Sequence, residues 1–192
     1  MNTTNSDWTT GKAISAFYDM HDFGQDGGIN EKFAWIKFGF FSIPIPNAKS
    51  RRQNIYLHDV SHLVTGYDTS WKGESAVSAW EIATGGWNRL FIPWLLTLWA
   101  MGLGTIFYPR QVYTAFRRGL TMRNALTCGL TKVQIFELPL EELKTRLNGY
   151  PRRDKNPFLW MMISLVVFLT PFLFVAVLGL FLSRFLMPMS LS

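Results

Sequence analysis

His58 and His62 stand four residues apart in the stretch Tyr56-Leu57-His58-Asp59-Val60-Ser61-His62. On a helix, that spacing puts both imidazoles on one face, one turn apart, where two nitrogens can reach a single cation. Asp59 adjoins His58 at the edge of that face. It can ligate directly, or hydrogen-bond a ligand histidine from behind. Glu74 follows His62 by twelve positions, across a short loop and at the start of a second helix. A helical hairpin would return its carboxylate to the pair. The donor set is two nitrogens and up to two carboxylates with no sulfur, which disfavours calcium and soft copper. Zinc comes first, with iron, manganese or cobalt as alternatives. The zinc-peptidase pattern fails at one point, because Asp59 stands where those enzymes place a glutamate general base. The plain alternative makes both histidines ordinary helix residues and Glu74 a solvated cap. Against it, the chain has three histidines, and two of them sit at ligand spacing beside an aspartate.

The elements that must position these groups read as mainly helical. Residues 12–21 place Ile14, Phe17, Tyr18 and His21 at helical spacing, with His21 turned to the apolar side as a core histidine rather than a ligand. Asn54 can cap a helix running to about Thr65, with Gly66 placed just past its end. A helix over 74–84 stops at Gly85-Gly86; Glu74, Ser78 and Glu81 form its polar face, and Ala76, Trp80 and Ala83 face the other way. Residues 135–147 form another short helix, with Pro139 and Glu141-Glu142 in its first turn. Residues 24–28 and 43–47 read as turn-rich links. Strand patterns are weak, so any sheet is small.

Composition adds a membrane. Hydrophobic residues make up 48% of the 192 positions and aromatics 16%. Residues 158–183 carry no charge, more than the roughly 20 residues needed to cross a hydrocarbon core. Pro171 lies in the middle of that run. The chain therefore divides into a helical metal- and lipid-binding domain, 1–157, and a transmembrane segment, 158–187. Residues 91–108 are apolar too. Lying at the interface, they keep both flanks on one side of the membrane; paired insertion with the C-terminal segment is the alternative. The net charge of +6 is concentrated: residues 109–157 hold ten Lys or Arg against four acids, among them Arg117, Arg118, Arg123, Arg152, Arg153 and Lys155. Flanked by apolar runs, this block reads as a lipid-headgroup surface rather than a nucleic-acid site, and it puts the main domain on the cytoplasmic side of the cell's inner membrane. The polar start has no signal-peptide or transit character. A lone cysteine, Cys128, rules out an internal disulfide or a thiolate pair and reads as a packing residue.

The motif also carries a family resemblance. His58-Asp59-x-x-His62, eleven residues and then Glu74 resembles the signature of the coenzyme Q (ubiquinone) biosynthesis protein four family. Leu57 before it, Thr65-Gly66-Tyr67 after it, Gly73, Trp80-Glu81, Ala115-Phe116-Arg117-Arg118-Gly119 and the 138–147 segment extend the likeness over roughly residues 33–150. The C-terminal apolar segment is an addition to that pattern. The resemblance implies a helical fold, a metal on His58, Asp59, His62 and Glu74, and a groove for a prenylated quinone precursor. It further implies a role in ubiquinone biosynthesis, either as the enzyme that replaces the ring carboxyl at carbon one by hydroxyl or as organiser of the other quinone-biosynthesis proteins. Glu81 would then orient a ligand or carry a proton.

Three functions stay open at this level. The first is a metal-dependent oxidative decarboxylase of a prenylated benzoquinone precursor. The second is a non-catalytic scaffold that binds this or another lipid and holds a biosynthetic or respiratory complex on the membrane. The third is a membrane protein of a respiratory or transport assembly with a degenerate site and no metal. So much apolar surface is compatible with a homodimer.

Overall fold

A computed structural model describes residues 7–24, 27–38, 41–47 and 49–186. The elements run α1 (Thr10–His21), β1 (Phe33–Phe38), β2 (Phe41–Pro46), α2 (Lys49–Thr65), α3 (Trp71–Ala83), α4 (Phe91–Phe107), α5 (Pro109–Gly119), α6 (Lys132–Glu137), α7 (Leu140–Arg146) and α8 (Pro157–Leu186). Among the described residues the chain is mainly helical, with one antiparallel hairpin and one apolar C-terminal helix long enough to cross a membrane. Position 187, the expected end of the transmembrane segment, lies outside the described residues, as do 1–6.

Helix α3 sets the architecture because small residues surround it. Ser75, Ala76, Ser78, Ala79, Ile82 and Ala83 are all buried, so neighbouring helices approach it from every side. A helix apolar or small all round belongs in an interior. One side of α3 joins Ala76, Ala79 and Ile82 to Met101 of α4, Val112 and Phe116 of α5 and Met161 of α8. Trp80 joins a second cluster with Ile14 and Phe17 of α1, Leu57, Val60 and Val64 of α2 and Leu143 of α7. The indole N–H of Trp80 ends on the sulfur of Met122 at 3.2 Å, so the largest core side chain keeps its donor occupied.

Several sequence expectations are corrected. Helix α2 begins at Lys49, not at Asn54, which lies inside it; Arg51, Arg52 and Gln53 are good helix formers and extend the helix upstream. Helix α3 starts at Trp71, its N-cap Ser70 accepting from the Gly73 N–H. The expected polar face of this helix faces inward, since Ser78 is 2% and Glu81 1% exposed. The expected link over 43–47 is mostly strand β2, carrying Pro44 and Pro46. Asn47 N–H donates to the Lys32 carbonyl, so the alternate positions 44 and 46 face away from the partner strand, where a missing N–H costs no ladder bond. The 135–147 helix is two. Helix α6 opens on a capping box between Thr131 and Gln134, and Pro139 caps α7 instead of lying within a first turn.

The segment expected at 91–108 forms α4, packed between α3 and the first turns of α8. Gly102 sits so close to α8 that an added Cβ would lie 2.2 Å from the Ser164 carbonyl. Helix α8 continues through Pro171 without a break. It buries Met161, Ser164 and Phe168 against the body, exposes Phe158, Leu159, Met162 and Val166 on its other side, and is exposed all round from Leu169 to Arg184. Three cations of the basic block are engaged with backbone. Arg118 Nη1 donates to the Thr65 carbonyl at 2.8 Å, Lys155 Nζ to Ile82 at 2.5 Å, and Arg153 to Met122. The first two satisfy carbonyls at the ends of α2 and α3, where cations are favourable.

Candidate metal centre

Helices α2 and α3 form the expected hairpin, and its turn is built for a close return. Gly66 takes φ +75° just past α2, with its N–H donating to the His62 carbonyl at 2.8 Å. Gly73 lies against the Asp68 carbonyl, where a Cβ would fall 2.0 Å away. That contact holds the loop over the first turn of α3 and fixes Glu74 one residue on. Glu74 also gains from its place at a helix N-terminus.

The three side chains converge. His58 Nε2 lies 3.2 Å from His62 Nε2 and 3.1 Å from Glu74 Oε2; His62 Nε2 lies 3.4 Å from Glu74 Oε1. Around a tetrahedral zinc with bonds of ~2.0–2.1 Å, neighbouring ligand atoms stand about 3.3–3.4 Å apart. The observed separations, the two to Glu74 ending on different oxygens of its carboxylate, are near that spacing, and these three residues could hold a metal ion.

The other ring nitrogens fix the tautomers. His62 Nδ1 is 3.0 Å from the Tyr67 carbonyl, which can only accept, so the proton sits on Nδ1. His58 Nδ1 is 3.1 Å from Glu81 Oε1 and donates to that carboxylate. Both Nε2 lone pairs and the Glu74 carboxylate then face one another. Three acceptors at these distances demand a positive charge between them, either a proton or a cation. Burial works to lower the His58 pKa, but Glu81 and Glu74 outweigh it and hold the imidazole well above its ordinary 6.5. Burial likewise works to raise Glu74, but hydrogen bonds from His58 and His62 hold it well below its ordinary 4.5. The rim is open on one side: the side chains of His58 and Glu74 are 20% and 28% exposed, while His62 is buried.

Of the residues expected here, Asp59 has a different partner. Its Oδ2 accepts from the Tyr18 hydroxyl at 2.8 Å, and it does not join the cluster of three. Burial raises its pKa, partly offset by His58 and the Tyr18 bond. Glu81, expected to orient a ligand or carry a proton, lies behind His58 and accepts from its Nδ1 at 3.1 Å. Its Oε2 is buried without a hydrogen-bond partner, beside a small pocket lined by Leu57, Ser61, Trp87 and Asn124. His21 is outside the cluster; it packs on Phe17 and Phe23, with Nδ1 3.3 Å from Thr69 Oγ1. Phe17 in turn stacks on His62 at 5.7 Å. Cys128 is a packing residue, partly buried, its thiol donating to the Ala125 carbonyl.

Sequence reasoning missed Tyr18 and the Tyr67 carbonyl. The first comes from a helix 41 positions upstream of its partner. The second is a backbone group, for which a side-chain motif carries no signal.

No protein-family model matches this chain, and no curated protein or solved structure does.

Proposed function

We propose that the protein is a membrane-anchored metalloprotein that holds one divalent cation, zinc first, on His58, His62 and Glu74. The observation that carries this reading is the convergence of three acceptor atoms whose histidine partners have their other nitrogens engaged by Glu81 and the Tyr67 carbonyl. Three protein ligands with a partly open rim leave a fourth position for water or substrate, the arrangement of catalytic rather than structural sites. The uncharged, exposed length of α8 supports a membrane span. Arg152, Arg153 and Lys155 before it, against Arg184 after it, support a main domain on the cytoplasmic side of the cell membrane.

The substrate reading combines this site with the resemblance to the coenzyme Q biosynthesis family. We assign the centre to a prenylated quinone precursor bearing a ring carboxylate, which leaves as carbon dioxide; where hydroxyl replaces it, its oxygen comes from dioxygen, and an external reductant supplies the two electrons that take the second oxygen atom to water. A bound divalent cation would supply Lewis acidity toward the carboxylate and the neighbouring phenolate. The chain's own groups do the rest. Glu81 and the Tyr67 carbonyl hold the two imidazoles in one tautomer, and Glu74 closes the third side. Trp71, one turn before Glu74, meets Trp99 at 6.1 Å, and Trp99 meets Phe168 of α8 at 5.0 Å. This aromatic path leads from the ligand helix to the apolar helix, as a substrate with a membrane-dissolved tail requires.

The test is to load the full chain in lipid nanodiscs with zinc, iron or manganese, supply a prenylated hydroxybenzoic acid with dioxygen and a reductant, and follow carbon dioxide and ring products by mass spectrometry. Metal-dependent loss of the carboxyl that disappears in His62→Ala supports the enzyme. Tight precursor binding with no turnover under any metal makes the protein a lipid-binding scaffold. Neither binding nor turnover overturns the quinone assignment.

A further inference from the structure

Helix α8 is no free tether. Arg153 N–H donates to the Leu120 carbonyl and Tyr150 N–H to Thr121, while the ammonium of Lys155 lies over Trp160. Trp160 stacks on Trp94 at 6.0 Å, and Gly102 admits the α8 backbone with no room for lipid or water between the helices. The two helices run the same way, since Trp94 meets Trp160 and, further along both, Trp99 meets Phe168.

That docking fixes how deep α4 goes. About 20 residues cross the hydrocarbon core. Wherever such a window falls within the uncharged run 158–183, it contains residues 164–177. Ser164 and Phe168, the residues against Gly102, are therefore at hydrocarbon depth in every placement. Helix α4 continues five residues beyond Gly102, roughly 7.5 Å at 1.5 Å per residue. Helix α5 then turns back: Val112 packs beside Gly104, and Tyr113 meets Phe158 at 5.3 Å. The corner at 106–110 therefore lies deeper than Gly102, level with the start of α3, where Ser75 meets Gly104. Ile106 and Phe107 are 45% and 64% exposed there, with Arg110 exposed beside them.

We propose that the α4–α5 corner is a second membrane contact, with the hydrocarbon window of α8 toward the C-terminal end of its uncharged run, Ile106 and Phe107 in the acyl chains of the cytoplasmic leaflet and Arg110 extended to the lipid phosphates. A long cationic side chain can bury its stem and keep its head at the interface, and anionic headgroups attract it. The contact rests on α8 spanning the bilayer, and it makes the metal domain a body seated in the membrane surface at one height and orientation.

The experiment uses the full chain with Cys128→Ser as background and a single cysteine placed by Phe107→Cys, Val177→Cys or Glu141→Cys. Each is labelled with an environment-sensitive fluorophore and reconstituted in vesicles of phosphatidylcholine and phosphatidylglycerol, with or without quencher-bearing acyl chains. The expected result is loss of emission at positions 107 and 177, and none at 141. Loss at 177 alone overturns the corner contact and leaves the span intact. Loss at neither overturns both. A blue-shifted label at 107 that lipid quenchers do not reach means that a second protein copy covers the corner, which also overturns the proposal. Arg110→Glu in the labelled Phe107→Cys chain should reduce quenching at 107 without changing it at 177 in a parallel Val177→Cys chain; undiminished quenching overturns the phosphate contact.

Discussion

Replacing Glu81 by Gln isolates the support of the centre from its ligands. Glu81 touches no converging atom; its Oε1 accepts from His58 Nδ1 at 3.1 Å from a position only 1% exposed. Glutamine keeps the shape and a neutral acceptor but removes the charge. A hydrogen bond to a charged group contributes about 1.5–3 kcal/mol and a neutral one about 1, so the expected loss is about 1–2 kcal/mol. That corresponds to roughly a 5- to 30-fold weaker metal affinity, in line with the ~10–100-fold typical of partners behind a metal ligand. Competition for zinc against a chromophoric chelator, with the protein in mild detergent, measures this directly. Stoichiometry should stay at one metal per chain while affinity falls. Ser78→Ala, on the same helix and equally buried, controls for core disturbance. An unchanged affinity in a well-folded Glu81→Gln variant would refute the claim that Glu81 tunes His58.

Asp59→Ala should keep the metal and lower stability by about 1–3 kcal/mol, because the buried Tyr18 hydroxyl loses its acceptor; loss of bound metal would make Asp59 a ligand after all. In metal-free protein, the Glu74 contribution is present above its ordinary 4.5 and is lost as pH falls through its depressed value. The His58 contribution is present below 6.5 and is lost as pH rises through its raised value. Thermal melts of chelated protein should therefore weaken on the alkaline side, while stabilisation by added zinc should grow with pH as the cation displaces the His58 proton; a pH-independent zinc effect would contradict this. Gly102→Ala should cost about 1–3 kcal/mol by driving a methyl into the Ser164 carbonyl, seen as a lower melting temperature with metal content intact.

The site was legible where it depends on local periodicity. Four-residue spacing put His58 and His62 on one face, and a hairpin turn marked by Gly66 and Gly73 returned Glu74 to them. Depth was not legible. The pattern Glu74, Ser78, Glu81 has the same period whether it faces water or a neighbouring helix, and only the small residues on the rest of α3 let helices close over it. Asp59 shows the limit of adjacency, since its partner Tyr18 comes from α1 and no spacing within the motif points there. The helix ends at Asn54 and Pro139 failed for a related reason. Capping preference is weak beside the helix-forming run Arg51-Arg52-Gln53 in one case, and Pro139 starts α7 rather than riding inside a longer helix in the other. For the apolar run 91–108 the sequence leaves an interfacial helix and a pair with the C-terminal segment both open, because the contact of Gly102 with Ser164 joins positions 62 residues apart.

Metal content is the most direct measure of the central claim. The full chain, purified in mild detergent without chelators, is analysed by mass spectrometry for metal beside His62→Ala and Glu74→Gln, with circular dichroism confirming that each variant is folded. About one divalent metal per chain in the wild type, lost in both folded variants, is the result expected from three converging ligands. A wild type that stays metal-free after incubation with excess zinc, iron or manganese would contradict it, and would leave the triangle of His58, His62 and Glu74 as a proton-bridged ion pair.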